Sequence, residues 1–160
     1  MARAPHNVLV LPFRRRADGG VEYAVLSRSD ADQWQAVAGG VEDGETSETA
    51  ARREFQEETG LSVPEARWLA LDCVASVPRD IFRGGVHWGP EVFVVQVRTF
   101  GVELTADDEI VLSHEHRELR WLPYAEAAAL VRYDHDRTAL WELAARVEPA
   151  ASRADRRQSP

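Results

Sequence analysis

The sequence predicts an α/β sandwich built on a mixed sheet. Short apolar runs of strand length recur along the chain. One long run of helix formers without Gly or Pro interrupts them at mid-chain, and two helical stretches close the sequence. Strands interleaved with helices in this way bury their apolar sides in layers. At 160 residues the chain fits one domain, placed at residues 1–148, with a disordered tail at 149–160, where Pro, Ala, Ser and Arg replace the apolar anchors.

Residues 7–13 read as a first strand, stopped by Arg14, Arg15, Arg16 and the turn signal Asp18-Gly19-Gly20. Residues 22–28 pair with it as a hairpin, the three arginines solvating the hairpin end. Residues 29–33 are loop-like and 34–38 ambiguous between strand and loop. Residues 39–45 form an acidic loop punctuated by glycine. A helix then runs over 47–59, with Thr46 or Ser47 as N-cap, Glu48 in the first turn and Gly60 as a left-handed C-terminal residue. Residues 66–77 and 91–97 are β-rich, separated by a loop at 78–90 that contains Gly84, Gly85 and Gly89 with His87 and Trp88. Residues 119–122 make a last short strand. Pro123 opens a helix to 131, and 136–147 form another, with Ala139, Leu140, Leu143, Ala144 and Val147 on one face.

All nineteen basic residues are Arg, against 27 acids, for a net charge of −8. That balance argues against binding long nucleic acids. No apolar run approaches the roughly 20 residues that span a bilayer, and the N-terminus lacks the apolar segment of a signal peptide, so no membrane partner is expected. Cys73 is alone, which excludes an intramolecular disulfide and fits a reducing cytoplasm; its apolar strand makes it a core residue. The acid excess is local: seven acids face two arginines between Gly39 and Leu61.

Glu54, Glu57 and Glu58 stand at i, i+3 and i+4, on about a 100° arc of one helix face. Like charges at that spacing repel, and the C-terminal half of a helix disfavours anions. Ala51 and Phe55 form an adjacent apolar edge, so the glutamates flank the buried side. Two readings stay open on spacing alone. One is a solvated acidic face balanced by Arg52 and Arg53. The other is a site for a hard cation, its carboxylate oxygens leaving room for water and phosphate.

The wider segment bears on that choice. Gly39, then Glu45 after five residues, Arg53-Glu54 after seven more, Phe55, Glu57-Glu58, Gly60 and Leu61 resemble the signature of the Nudix hydrolase family at every specified position. The resemblance implies a Nudix-type α/β/α sandwich with a loop–helix–loop catalytic motif. It implies hydrolysis of a nucleoside diphosphate linked to a further group, with Mg²⁺ or Mn²⁺ as cofactor. It implies Glu57, Glu58 and Glu54 as metal ligands, with Glu54 as ligand or general base. The carbonyl of Ala38 is a further ligand, and Arg53 holds Glu45 and orients the glutamate row. Glu45, Arg53, Glu54 and Glu58 make up the catalytic set. Flanking segments resemble the bacterial subgroup that cleaves dihydroneopterin triphosphate and dATP. These are Trp34-Gln35, Leu71-Asp72-Cys73, Ile81-Phe82, His114-Glu115-His116 before Trp121-Leu122, and residues 127–130. On that likeness Glu115 is an extra metal-binding carboxylate, whereas the loop at 78–90 departs from the subgroup.

The function expected is therefore cleavage of a small nucleotide or pterin triphosphate to a monophosphate and pyrophosphate, by a cytoplasmic enzyme of a family whose members are often homodimers. The alternatives are hydrolysis of ADP-ribose, a nucleotide sugar or a dinucleoside polyphosphate, or a nucleotide-binding regulator without turnover. Substrate contacts are assigned to Gly39 and Gly40, to Arg28 for phosphate, to Trp34 for ring stacking, and to His87 from a loop over the substrate. For Trp34 core packing is an equal alternative, for Arg28 a surface role, and for His87 a surface turn. His114 and His116, flanking Glu115, could suggest Zn²⁺, but an oxygen-rich site favours Mg²⁺ or Mn²⁺; they are expected as exposed loop histidines, with a titrating group near the phosphates as the alternative.

Overall fold

The computed structural model describes residues 3–150. The long first strand, β1 (Arg3–Arg15), organises a seven-stranded sheet. On one edge it runs parallel to β6 (Val94–Leu104) from His6 to Arg14. Its other edge is divided. The N-terminal part pairs antiparallel with β4 (Val37–Glu42), and Phe13–Arg15 pair antiparallel with β2 (Val21–Arg28). Outside β2 lie β3 (Trp34–Gln35) and β7 (His116–Leu122), both antiparallel to it, and β5 (Trp68–Pro78) flanks β6 on the far side.

Both faces of this sheet are covered, which is why β1 and β2 read as continuous apolar runs rather than alternating ones. Leu9, Leu11, Phe13, Tyr23 and Val25 point to one face, under α2 (Tyr124–Leu130) and α3 (Asp134–Val147). Val8, Val10, Ala24 and Leu26 point to the other, under α1 (Ser47–Thr59). Ala139, Leu140, Leu143 and Ala144 of α3 are fully buried. Glu142 of the same helix accepts backbone N–H bonds from Asp72 and Cys73, 2.7 Å each, where the β5–β6 register slips between Ala70 and Val74. Cys73 is partly buried against this core.

The helix α1 has the expected bounds. Thr46 caps it by accepting from the Thr49 amide, and Gly60 closes it at φ +72°, where a Cβ would be strained. Other bounds move. The glycine-punctuated segment is strand through Glu42, not loop, because Gly39 supplies close approach instead of a turn: a Cβ there would lie 1.8 Å from Glu54 Cδ. The strand expected at 91–97 begins at Val94 and continues to Leu104, its polar positions masking the pairing with β1. Between β5 and β6 the chain makes two short 3₁₀ turns, at Arg79–Ile81 and Gly85–Trp88. No helix among the described residues is long and apolar enough to cross a membrane. The tail expected to be disordered lies, from residue 151 on, outside the described residues.

Candidate active site

Helix α1 presents Ala50, Ala51 and Phe55 to the sheet, and Phe55 meets Trp68 edge to face at 5.5 Å. Glu54 and Glu58 share that buried side. Glu58 is 4% exposed and Glu54 7%, whereas the Glu57 side chain keeps 59% of its surface in water. The three glutamates are thus two buried carboxylates and one at the rim.

Arg53 ties the group together. Its Nε and one terminal nitrogen donate to the two Glu45 oxygens at 3.0 and 2.9 Å, a fork on a carboxylate. The same terminal nitrogen reaches the Gly40 carbonyl at 2.8 Å, and the other donates to Glu54 at 2.8 Å and lies 3.5 Å from Glu57. Glu45 also accepts from the Glu42 amide at 3.0 Å, which braces the turn between β4 and α1. The Arg53 hydrogen bonds hold the Glu45 carboxyl below its ordinary pKa. Burial raises the Glu54 pKa against the pull of Arg53.

Glu58 has no such partner. One carboxylate oxygen is buried without a hydrogen bond, and His116 Nε2 stands 3.7 Å from it. Burial, then the charges of Glu54 and Glu115, push its pKa up to about 9. The imidazole of His116 is itself held below its ordinary pKa by burial, so it brings no compensating charge near neutral pH. The Ala38 backbone and the Arg28 charge pull the other way but do not offset burial and the two carboxylates, so the site favours an added cation. Among the described residues no three Asp, Glu, His or Cys side chains converge into a metal-holding group. The all-oxygen donor set nonetheless suits a hard cation that keeps several waters and takes few carboxylates.

Glu54 and Glu57 open into a cleft of about 550 Å³, within the range of small-molecule sites. Ala38, Gly39, Gly40, Arg28, Arg53 and Glu115 line it as well. Arg3 and Arg83, which the sequence did not single out, add two further guanidinium groups. Arg28 grips Asp30 through two bonds of 2.7 Å, which lowers the Asp30 pKa to about 2, and Arg83 reaches the same carboxylate at 3.0 Å. Arginines stand beside carboxylates in the lining, an arrangement suited to a polyphosphate with cations between.

Two expected contacts fall elsewhere, and one histidine is placed differently from its expectation. Trp34 is outside the cleft: its ring packs against the α2–α3 core and Arg120 lies 4.5 Å over its centroid. His87 is exposed on a 3₁₀ turn away from the lining, and its neighbour Trp88 donates to the Arg3 carbonyl at 2.6 Å, tying that turn to β1. His116 is buried at the start of β7 rather than exposed, because pairing with Arg28 of β2 carries it inward; His114 is exposed as expected. The sequence also missed Asp136, buried at the start of α3 and lining the cleft. Its local context reads as an ordinary acidic first turn, and no linear signal marks its burial.

The NUDIX domain model matches residues 5–142, nearly the whole described chain. The chain belongs to the Nudix family. The dihydroneopterin triphosphate diphosphatase of Escherichia coli K12 is 36% identical over 139 residues, spanning 86% of this chain and 91% of that protein. A crystal structure from Listeria monocytogenes, described as of a Nudix hydrolase, superposes with a TM-score of 0.77 at 41% identity, covering 89% of this chain and 94% of the other. The E. coli dihydroneopterin triphosphate pyrophosphohydrolase structure gives 0.69 at 30% identity, covering 88% and 94%. Nudix proteins generally use divalent cations, which agrees with the Glu58 carboxylate, buried with one oxygen unpartnered. The expected Nudix-type sandwich with a mixed sheet is what the structure shows.

Proposed function

We propose that this Nudix chain is a Mg²⁺- or Mn²⁺-dependent pyrophosphohydrolase. Its substrate is a small triphosphate, dihydroneopterin triphosphate or a deoxynucleoside triphosphate, and its products are the monophosphate and pyrophosphate. The observation that carries the reading is the buried Glu58, one of its oxygens without a hydrogen bond, on the same helix as Glu54, which lines an arginine-bearing cleft. The relationship to the E. coli diphosphatase, 36% identical over most of both chains, supports the triphosphate.

Glu54, Glu57, Glu58 and Glu115, with the Ala38 carbonyl, would hold the cation. When bound it neutralises phosphate charge and makes a water more acidic. Glu54, its pKa raised by burial, accepts the proton of the attacking water. Arg28 meets the phosphate chain, where its planar fork suits two oxygens. Arg53, tied to Glu45 and the Gly40 carbonyl, fixes the position of Glu54. Gly39 lets that carboxylate lie against the backbone of β4.

The test is a panel of triphosphates, ADP-ribose, dinucleoside polyphosphates and dihydroneopterin triphosphate with Mg²⁺ and Mn²⁺, scored by product. Pyrophosphate release from a triphosphate is expected; its absence with every triphosphate refutes the reading.

A further inference from the structure

The cleft wall includes a second buried carboxylate that the phosphate chemistry does not use. Asp136 is 1% exposed, and neither of its oxygens has a hydrogen-bond partner. His135 Nε2 lies 3.1 Å from one oxygen without hydrogen-bond alignment. Burial keeps that imidazole below its ordinary pKa, so it supplies no charge near neutral pH. The Ala36 amide draws the Asp136 pKa down, also without an aligned hydrogen bond, and burial prevails, pushing it up to about 7. Unpartnered buried carboxylates are rare and costly. The helix start does not account for this one, because Asp134 already places an acid in the first turn of α3 with its side chain fully in water.

The neighbours on this part of the wall suit a flat polar ring. Phe82 and Val77 supply apolar surface, and Gln33 and Gln35 supply amides that both donate and accept. The Tyr133 hydroxyl, 3.2 Å from Gln33 Oε1, fixes one amide, and the Tyr133 and His135 rings stack at 5.3 Å and 11°, which stiffens the rim. A carboxylate offers acceptors only, so what satisfies both its oxygens is a pair of adjacent N–H donors. Rings with an N–H beside an exocyclic amino group, the 2-amino-4-oxo edge shared by pterin and guanine, present that pair. The adenine and cytosine edges present one donor beside one acceptor, which sets lone pairs against lone pairs.

We propose that Asp136 reads the ring of the substrate, accepting two hydrogen bonds from a 2-amino-4-oxo edge. The chain would then select pterin and guanine triphosphates over adenine and pyrimidine ones. This rests on the triphosphate reading above for the place of the phosphates, but its test does not depend on turnover. Calorimetry with Mg²⁺ compares GMP, IMP, which lacks only the amino group, and 1-methyl-GMP, whose ring N–H is blocked. Hydrogen bonds to a charged acceptor are worth about 10- to 100-fold each. GMP is therefore expected to bind at least about 10-fold more tightly than either analogue, and the GMP-to-IMP ratio to collapse towards one in Asp136→Asn. Steady-state KM values for dGTP and dITP should follow the same pattern. Equal affinity for GMP and IMP in the native chain overturns the proposal, as does a ratio that persists in the variant. Asp136→Glu, which keeps both acceptors but moves them, serves if Asn prevents folding; a ratio unchanged from the native chain again refutes Asp136 as the reader. Failure to cleave any triphosphate, with the GMP preference present, removes the function proposed above and leaves the ring reading standing.

Discussion

Glu58 and Asp136 are the same chemistry in two settings. Both are carboxylates at most a few per cent exposed, both carry unpartnered oxygens, and burial raises the pKa of both. Glu58 lies on α1, where the charges of Glu54 and Glu115 outweigh that of Arg28, so its deficit is one of positive charge. For Asp136 on α3 the charged neighbour that acts on it is Arg137, and amides and aromatic rings line the wall beside it, so its deficit is of hydrogen-bond donors. Burial makes each carboxylate reactive towards a ligand. The neighbours decide whether that ligand is a cation or an N–H edge.

The comparison is tested most severely at the α1 end. Glu58→Gln and Glu57→Gln are each expected to lower kcat by more than about 100-fold, beyond what losing a residue that merely orients a metal ligand costs. Unchanged secondary structure by circular dichroism would show the fold intact; activity retained in both removes the cation assignment.

Gly39→Ala is expected to come next. Its Cβ would collide with Glu54 at 1.8 Å, and either the carboxylate or β4 must move. Overpacking of this kind costs about 1–3 kcal/mol, read as a lower melting temperature, and kcat should fall with it. A variant as stable and active as the parent would mean that the position of Glu54 is not held by this contact.

The pH dependence separates the two carboxylates. The Glu58 pKa in the fold is about 9 against an ordinary 4.5, so the folded chain holds this proton more tightly than the unfolded one. The stabilisation is complete below about 4.5 and is lost as pH rises through about 9. Added Mn²⁺ relieves that loss and competes with the proton, so its thermal stabilisation should be larger at pH 8.5 than at pH 6 in scanning calorimetry, a difference absent in Glu58→Gln. For Asp136 the corresponding window runs from 3.8 to about 7. Asp136→Asn should be the more stable form at pH 8, with the advantage shrinking towards pH 5 and no dependence on Mn²⁺. A Mn²⁺-dependent gain there would erase the contrast drawn between the two ends.

The smallest effect is expected at His87. Its side chain is exposed and away from the cleft, so His87→Ala should change activity less than about 2-fold and stability by no more than about 0.5 kcal/mol. A large loss of activity would return that turn to the site.

Most of the α1 end was legible beforehand because it is local. The N-cap, the i, i+3, i+4 glutamates and Gly60 lie within one helix and its caps, where spacing in sequence is spacing in space. What spacing left open was which glutamates are buried. Burial depends on where β4 and β7 lie, and β4 looked like a loop because its two glycines have the composition of a turn. Trp34 and His87 went astray for a related reason: an aromatic or imidazole near a motif in sequence says nothing of which side of a strand or turn it takes.

The sequence by itself determined the family, the layered α/β class and the carboxylate helix, since these rest on periodicity, capping and a motif contained in 23 residues. Only the tertiary structure decided that β1 divides its edge between β4 and β2, that Glu58 and His116 are buried together, and that Asp136 reaches the same cleft from nearly eighty residues further along the chain. Those are contacts between distant segments, and the loss of water around a charge, which gives each carboxylate its chemistry, is set by everything packed over it.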